Sequence, residues 1–300
     1  MAMRRSDIAR MLAAGQAKIF RDNLKPAKKE QWRWCSTITK SNKAQETYDS
    51  IGNLKPAHVK EEEDSIQYGK LEQAYQTVVV NETIANGYWF SMEVAEDDLY
   101  AVVDEGQQKE LPRTMQSKRE QDIAAVWDGV FTSVGADGVP YASNTHPLKN
   151  CPGKYNDNLA DNVPPSPDAL INAANKFNHI YRHNGELMDT DATALLCHKD
   201  KMAIWQAILA SNLKAQELSN TKNTVPQLRL IWNKYIHQSY YHLIDEEIES
   251  VIMQIRRGFK YNYFVDKKDT LNVYFNVTER RKAAHINPGF GHVSSKGGAA

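Results

Sequence analysis

Apolar residues recur at helical intervals between Pro112 and Phe131, with Met115, Ile123, Val126, Trp127, Val130 and Phe131 on one face. About twenty residues at about 1.5 Å each make a rod of roughly 30 Å. Pro112 suits a first helical position, where its missing N–H costs nothing. The Gly, Asp and Pro residues from Gly135 to Pro140 stop the rod. The chain before it reads as extended and the chain after it as compact.

Upstream, Ser6 and Asp7 can cap a helix with Ile8, Met11, Leu12, Ile19 and Phe20 on its apolar face, closed by Pro26. Trp32 and Trp34 then anchor this arm to a body. From Lys43 to Asn86 the pattern turns polar, with a turn at Asn53 to Pro56, a solvated acidic block at Glu61 to Asp64 and strand alternation at Tyr75, Thr77 and Val79. This predicts a long two-stranded excursion that needs a neighbouring surface, because an isolated hairpin is marginal in water. Gly87 to Val94, rich in aromatic residues, reads as a buried strand, and Asp97 and Asp98 open a short helical segment with Leu99, Val102 and Val103.

Downstream, Ser166 caps a helix with Pro167 in first position and Asp168 in the first turn. Leu170, Ile171, Ala174, Phe177 and Tyr181 form its apolar face, and Asn184-Gly185 ends it. A strand at Ala192 to Cys197, a helix at His198 to Ala210 and strands at Gln227 to Trp232 and Tyr240 to Ile244 complete a mixed unit. Val251 to Arg257 and Leu271 to Val277 read as antiparallel strands on either side of Asp266 to Asp269. The last residues, 289–300, read as a flexible tail. The fold class is α+β.

Three hundred residues, 41% hydrophobic, suffice for one large or two ordinary domains. No apolar window of about eighteen residues predicts a membrane span, and the run Met11 to Ala14 is too short for a secretory signal. The expectation is a cytoplasmic location, without a membrane. Cys35, Cys151 and Cys197 are odd in number and lack CxxC spacing, which fits reduced, packed thiols. Net charge is zero but unevenly spread. Residues 1–43 hold eleven basic against three acidic residues, about +8, and residues 251–300 about +6. Basic ends on an acidic body suggest a polyanion at the termini or association of opposite patches.

Catalytic patterns are missing. Neither a GxxxxGK[ST] loop nor a GxGxxG turn occurs, and His179 and His183 have i, i+4 spacing without the HExxH glutamate. Ser143 and His146 lie close together but lack a GxSxG elbow. The expectation is no enzyme, no catalytic residue, no cofactor and no metal. A soluble hydrolase using Ser143 and His146 is the rival from another class. An arm, an excursion and a body too small to cover both describe a chain that interlocks with copies of itself.

Asp137-Gly-Val-Pro-Tyr-Ala-Ser-Asn-Thr-His-Pro-Leu148 resembles major capsid proteins of tailed phages, in the group similar to the phage Mu head subunit. Asn158-Leu159, Ser166 to Leu170, Asn184-Gly185, Ala194 to Ser211, Tyr240 to Asp245 and the C-terminal strand pair agree in order over about residues 45 to 285. The resemblance implies a Hong Kong 97-like capsid fold. Its parts would be an N-terminal arm at 1–43, an extended loop at 44–86, a peripheral domain at 87–139 and 249–288, and an axial domain at 140–248. It implies an icosahedral virion shell of pentamers and hexamers around double-stranded DNA. Arg4, Arg5, Arg10, Lys18, Arg21, Lys25, Lys28 and Lys29 are the candidate DNA-facing residues, neutralising phosphates without reading sequence. Lys55, Lys60, Glu61, Glu62, Glu63 and Lys70 are the candidate inter-subunit loop. The further partners expected are a separate scaffolding protein, a portal and a cement protein. An encapsulin, a cellular shell around protein cargo, is the rival within the fold.

Overall fold

The computed structural model describes residues 30–51, 59–66, 68, 73–91, 102–211, 224–266 and 272–298. The predicted arm helix after Ser6, the turn at Asn53 to Pro56 and the residues from Asp97 to Leu99 lie outside them.

The rod is helix α1 (Val102–Asp128), followed by a 3-10 turn at Gly129–Phe131. It begins at Val102 instead of Pro112, so Pro112 stands inside it and removes the bond its N–H would have given to the Gln108 carbonyl. Gly106 and Pro112 depress local helix propensity, and propensity is a weak guide against the rest of the fold. The buried stripe is Leu111, Met115, Arg119, Ile123 and Trp127 at four-residue steps, then Val130. An arginine therefore occupies the position where the apolar pattern had a gap.

The stripe faces a four-stranded sheet of order β1-β10-β11-β4, made of β1 (Thr37–Lys40), β10 (Val251–Val265), β11 (Val273–His285) and β4 (Glu82–Phe90). The predicted strands at 251–257 and 271–277 are parts of one long antiparallel hairpin, paired from Val251↔His285 to Val265↔Val273. Along β11 buried and half-buried residues alternate strictly, so Val273, Phe275, Val277, Glu279, Arg281, Ala283 and His285 all point to the helix side. The aromatic strand β4 starts at Glu82 instead of Gly87 and forms a sheet edge, with Trp89 61% exposed. Its aromatic residues serve two faces: Tyr88 and Phe90 stack on Phe275, while Trp89 lies beside Tyr274 on the open side.

The excursion is the hairpin of β2 (Gln45–Ile51) and β3 (Gln73–Val80). Its base is docked on the sheet face opposite α1. There Val79 packs with Ile252 and Ile286, and the Tyr48 hydroxyl donates to Gln254 Oε1 at 2.8 Å. The Tyr75 hydroxyl donates to the Pro147 carbonyl at 3.2 Å, and Lys149 Nζ donates to the Ala74 carbonyl.

A second sheet has the order β12-β9-β7-β8, from β12 (His292–Ser295), β9 (Tyr241–Ile244), β7 (Ala194–His198) and β8 (Arg229–Asn233). Helices α2 (Pro167–Asn175) and α3 (Met202–Ala210) accompany it, and Leu170, Phe177, Leu195, Trp205, Tyr241 and Val293 share its core. The Ser166 hydroxyl accepts from the Ala169 N–H at 3.1 Å, as the capping pattern predicts. α2 ends at Asn175 with a 3-10 extension to His179, and Asn184-Gly185 is a separate turn with Gly185 at φ 85°. The expected tail at 289–300 is corrected by β12, whose four residues are all buried. Its polar composition reads as solvent-facing, yet Ser294 Oγ meets His242 Nδ1 at 2.8 Å and Ser295 Oγ donates to the Asp161 carbonyl at 2.7 Å. Partners so distant in sequence leave no local pattern.

Trp127, Val130, Ala142, Leu196, Ile244, Met253 and Ala283 form a shared core between the end of α1 and both sheets. The short pair β5 (His146–Pro147) and β6 (Tyr155–Asn156) closes the loop that follows α1 over this core.

Candidate functional site

Of the candidate loop residues, Lys60, Glu61, Glu62 and Glu63 are described and all are exposed, whereas Lys55 and Lys70 lie outside the described residues. So do all eight candidate DNA-facing residues of the arm. Asp64 N–H donates to the Glu61 carbonyl at 3.2 Å, and Glu63 adopts φ 75°, a left-handed conformation that turns the acidic block back on itself. Val59 and Tyr68 are each 90% exposed, and Ile66 60%. Three large apolar side chains around four carboxylates make a surface that none of the described residues covers.

The open face of the first sheet has the opposite character. Trp89, Tyr274 and Phe264 run across β4, β11 and β10, and the rings of Phe264 and Tyr274 stack at 4.9 Å. Arg257 and Lys260 stand exposed further along this sheet, and the Glu82 carboxylate is engaged by Lys282 at 2.5 Å.

His146 is where sequence reasoning placed a rival nucleophile pair, and the structure separates the pair. Ser143 Oγ lies 3.1 Å from Thr145 Oγ1, while both nitrogens of the buried His146 ring are occupied elsewhere. Nδ1 meets Asp137 Oδ2 at 2.5 Å, and Nε2 faces the Tyr141 carbonyl at 3.2 Å and Asn158 Oδ1 at 3.1 Å. Asn158 Oδ1 also accepts from the Ser143 N–H, and its amide group donates to the Tyr141 carbonyl and reaches His292 Nε2 at 3.3 Å. His292 Nδ1 completes the chain on the Phe290 carbonyl. Both ring nitrogens already face oxygen partners other than the Ser143 hydroxyl, so the ring is not turned toward it as a base would be.

Gly289 lies directly against this ring. A Cβ there would sit 2.8 Å from His146 Cγ, and the residue has φ 76°. Gly289→Ala is expected to lower subunit stability by at least about 1–2 kcal/mol, the left-handed penalty before the clash is added. Thermal unfolding of the unassembled chain checks it, and an unchanged midpoint would contradict the packing described.

A second buried polar group joins α1 to β11. Arg119, in the helix stripe, donates to Glu279 from Nε at 3.1 Å and also from Nη2, and stacks 4.1 Å over the Phe259 ring. Arg281 Nε reaches the other Glu279 oxygen at 2.8 Å, while its Nη1 meets Asp122 Oδ2 at 2.7 Å. Glu279 is fully buried and Arg281 nearly so. Nothing in the sequence marks this group except an Arg at a stripe position, since Glu279 and Arg281 lie beyond the strand read at 271–277.

Among the described residues no three His, Cys, Asp or Glu side chains are arranged to hold a metal ion. His179 is exposed, and His183 is buried with its ring against Tyr75 and Phe290, so the pair shares no site. Cys35 and Cys197 are buried thiols, and burial pushes the Cys197 thiol up to about 12.

A long helix against a long-hairpin sheet, a protruding two-stranded excursion and a second sheet reached through the 137–147 loop form the α+β, Hong Kong 97-like fold of tailed-phage capsid proteins. The capsid of the cyanophage P-SCSP1u has this fold, with a TM-score of 0.59 at 7% identity over 89% of this chain and 87% of that one. The procapsid of bacteriophage JBD30 matches at TM-score 0.55 and 14% identity over 99% and 77% of the two chains. A virus-like particle from Pyrococcus furiosus matches at TM-score 0.52 and 10% identity over 93% and 97%. No family model and no curated protein matches the sequence.

Proposed function

We propose that the protein is a major capsid protein that assembles, as pentamers and hexamers, into an icosahedral virion shell around double-stranded DNA. The observation that carries this reading is a capsid fold whose subunit leaves complementary surfaces uncovered. The acidic, apolar loop around Glu61 to Asp64 fits the aromatic and basic sheet face of a second copy. On this reading residues 1–43 are the arm and 44–86 the extended loop. Residues 87–139 and 249–288 form the peripheral domain around α1, and 140–248 form the axial domain, to which β12 adds an edge strand. The arm, through Arg4, Arg5, Arg10, Lys18, Arg21, Lys25, Lys28 and Lys29, takes the DNA phosphates on the inner face. Scaffolding protein, portal and cement protein are separate partners, and assembly takes place in the host cytoplasm. The protein has a structural rather than an enzymatic role.

Electron microscopy of the purified chain tests the reading, with shells or capsomers as the expected result and a persistent monomer as the contrary one. Exchanging Glu61, Glu62 and Glu63 for Lys is expected to abolish shells without moving the unfolding midpoint of the subunit, because the three side chains are exposed. Replacing the eight arm residues by Gln is expected to leave shells intact and to lower DNA retention and its salt dependence. Unchanged retention would remove the arm from that role. A second reading, an encapsulin-type shell around protein cargo, draws on the likeness to the P. furiosus particle. The contents of native particles, DNA or an enzyme, separate the two.

A further inference from the structure

Buried histidines gather where the two sheets meet. His285 is the last residue of β11 in the first sheet, and His292 is the first of β12 in the second. Their ring centroids are 5.2 Å apart across the turn at 286–291. His242 comes from β9, and all three rings pack on Trp127 at the end of α1, at 5.0 Å for His242, 5.4 Å for His285 and 5.7 Å for His292. None is more than 5% exposed. No hydrogen bond of good geometry reaches either nitrogen of His285, although the backbone of Ser250 and Val126 lies beside the ring, and His242 Nε2 has no partner.

We propose that this cluster is a proton-driven hinge: proton uptake puts like charges on opposite sides of the junction, and the second sheet swings away from α1 and β11 about the turn at 286–291.

Among the described residues no counter-charge faces the cluster. From α1, the Asp128 carboxylate is turned to the His237 N–H at 2.9 Å. From the loop, Asp137 is held by His146, and Tyr141 stacks on His285 at 4.5 Å without a charge to offer. From β9, Asp245 accepts from the N–H groups of Asp191 and Glu247. Beyond β12, Lys296 lies over the Phe131 ring and adds positive charge, and His183 stands behind Phe290. Burial first, then the neighbouring His292 charge, pulls His242 down to about 3. Burial and the His146 charge bring His292 to about 4, and burial holds His285 well below its ordinary value.

The sign follows. Above pH 6.5, near the ordinary value of an exposed His, the rings are neutral in both closed and open states and the junction loses nothing. Between pH 6.5 and about 4 the open, hydrated state takes the proton first, so closure weakens as pH falls.

Hydrogen exchange of the unassembled full chain between pH 7.5 and 5.0, corrected for intrinsic rates, tests this independently of shell formation. Peptides covering 123–131 and 283–295 are expected to lose protection by about tenfold or more per pH unit below 6.5, while 111–119 and 194–198 keep theirs. His285→Phe keeps a ring on Tyr141 and Trp127 and removes both ring nitrogens, so its loss of protection is expected at lower pH. Protection unchanged down to pH 5.0, or lost equally along the chain, would overturn the hinge. So would a His285→Phe chain, folded at pH 7.5, that opens at the wild-type pH. If that variant does not fold, the regional pattern in the wild-type chain decides alone.

Discussion

Glu279→Ala is expected to cost the subunit about 3–5 kcal/mol, the range for breaking a buried ion pair from one side. The substitution leaves Arg119 without a carboxylate and Arg281 with Asp122 alone, between α1 and β11. Desolvation of the two guanidinium groups, compensated in the native subunit by four hydrogen bonds to Glu279, then stands unopposed. Asp122 retains Arg281 but is partly exposed and serves one nitrogen. Denaturant unfolding of the unassembled chain measures the loss. Glu82→Ala, which breaks a pair between exposed side chains on the same strand ladder, provides the control at about 0–1 kcal/mol. Equal effects for the two substitutions would mean that the buried group adds nothing beyond surface charge pairing.

His146→Ala is expected to cost a comparable amount, about 3 kcal/mol or more, because it strands the Asp137 carboxylate, whose side chain is 1% exposed. It also removes the bridge from the 137–147 loop to Asn158, and through Asn158 to His292 in the second sheet. The effect should appear as lost stability and lower particle yield. A double-mutant cycle with Asp137→Ala isolates the pair, and a coupling above about 1 kcal/mol is expected for buried partners in contact. Additive effects would mean that the two residues act separately. The same experiment distinguishes a structural His146 from a general base, since a base could be removed without a stability cost of this size.

The fate of His146 shows what sequence order can and cannot disclose. In isolation it stood beside Ser143 as half of a catalytic pair, and only the fold shows that Asp137, Tyr141 and Asn158 use both its nitrogens. The group of Arg119, Asp122, Glu279 and Arg281 was less visible still. Its members are charged residues on amphipathic elements, and charged residues on such elements ordinarily face water. The exposed loop is the opposite case. A run of four carboxylates at 61–64 predicts solvation, and the described part of it is solvated.

Features written in neighbouring residues were legible before folding: the stripe of α1, the Ser166 cap, the alternation of β3, the strand character of 271–277, the turn at Asn184-Gly185, and a motif order that pointed to a capsid fold. These depend on periods of two and 3.6 residues and on local backbone chemistry. Tertiary structure alone decided that Pro112 lies inside the helix, that the polar C-terminus is a buried strand, and that His242, His285 and His292 meet over Trp127. In each of these a polar or helix-breaking residue owes its place to partners contributed by other elements, and a one-dimensional pattern carries no trace of a partner that only folding brings near.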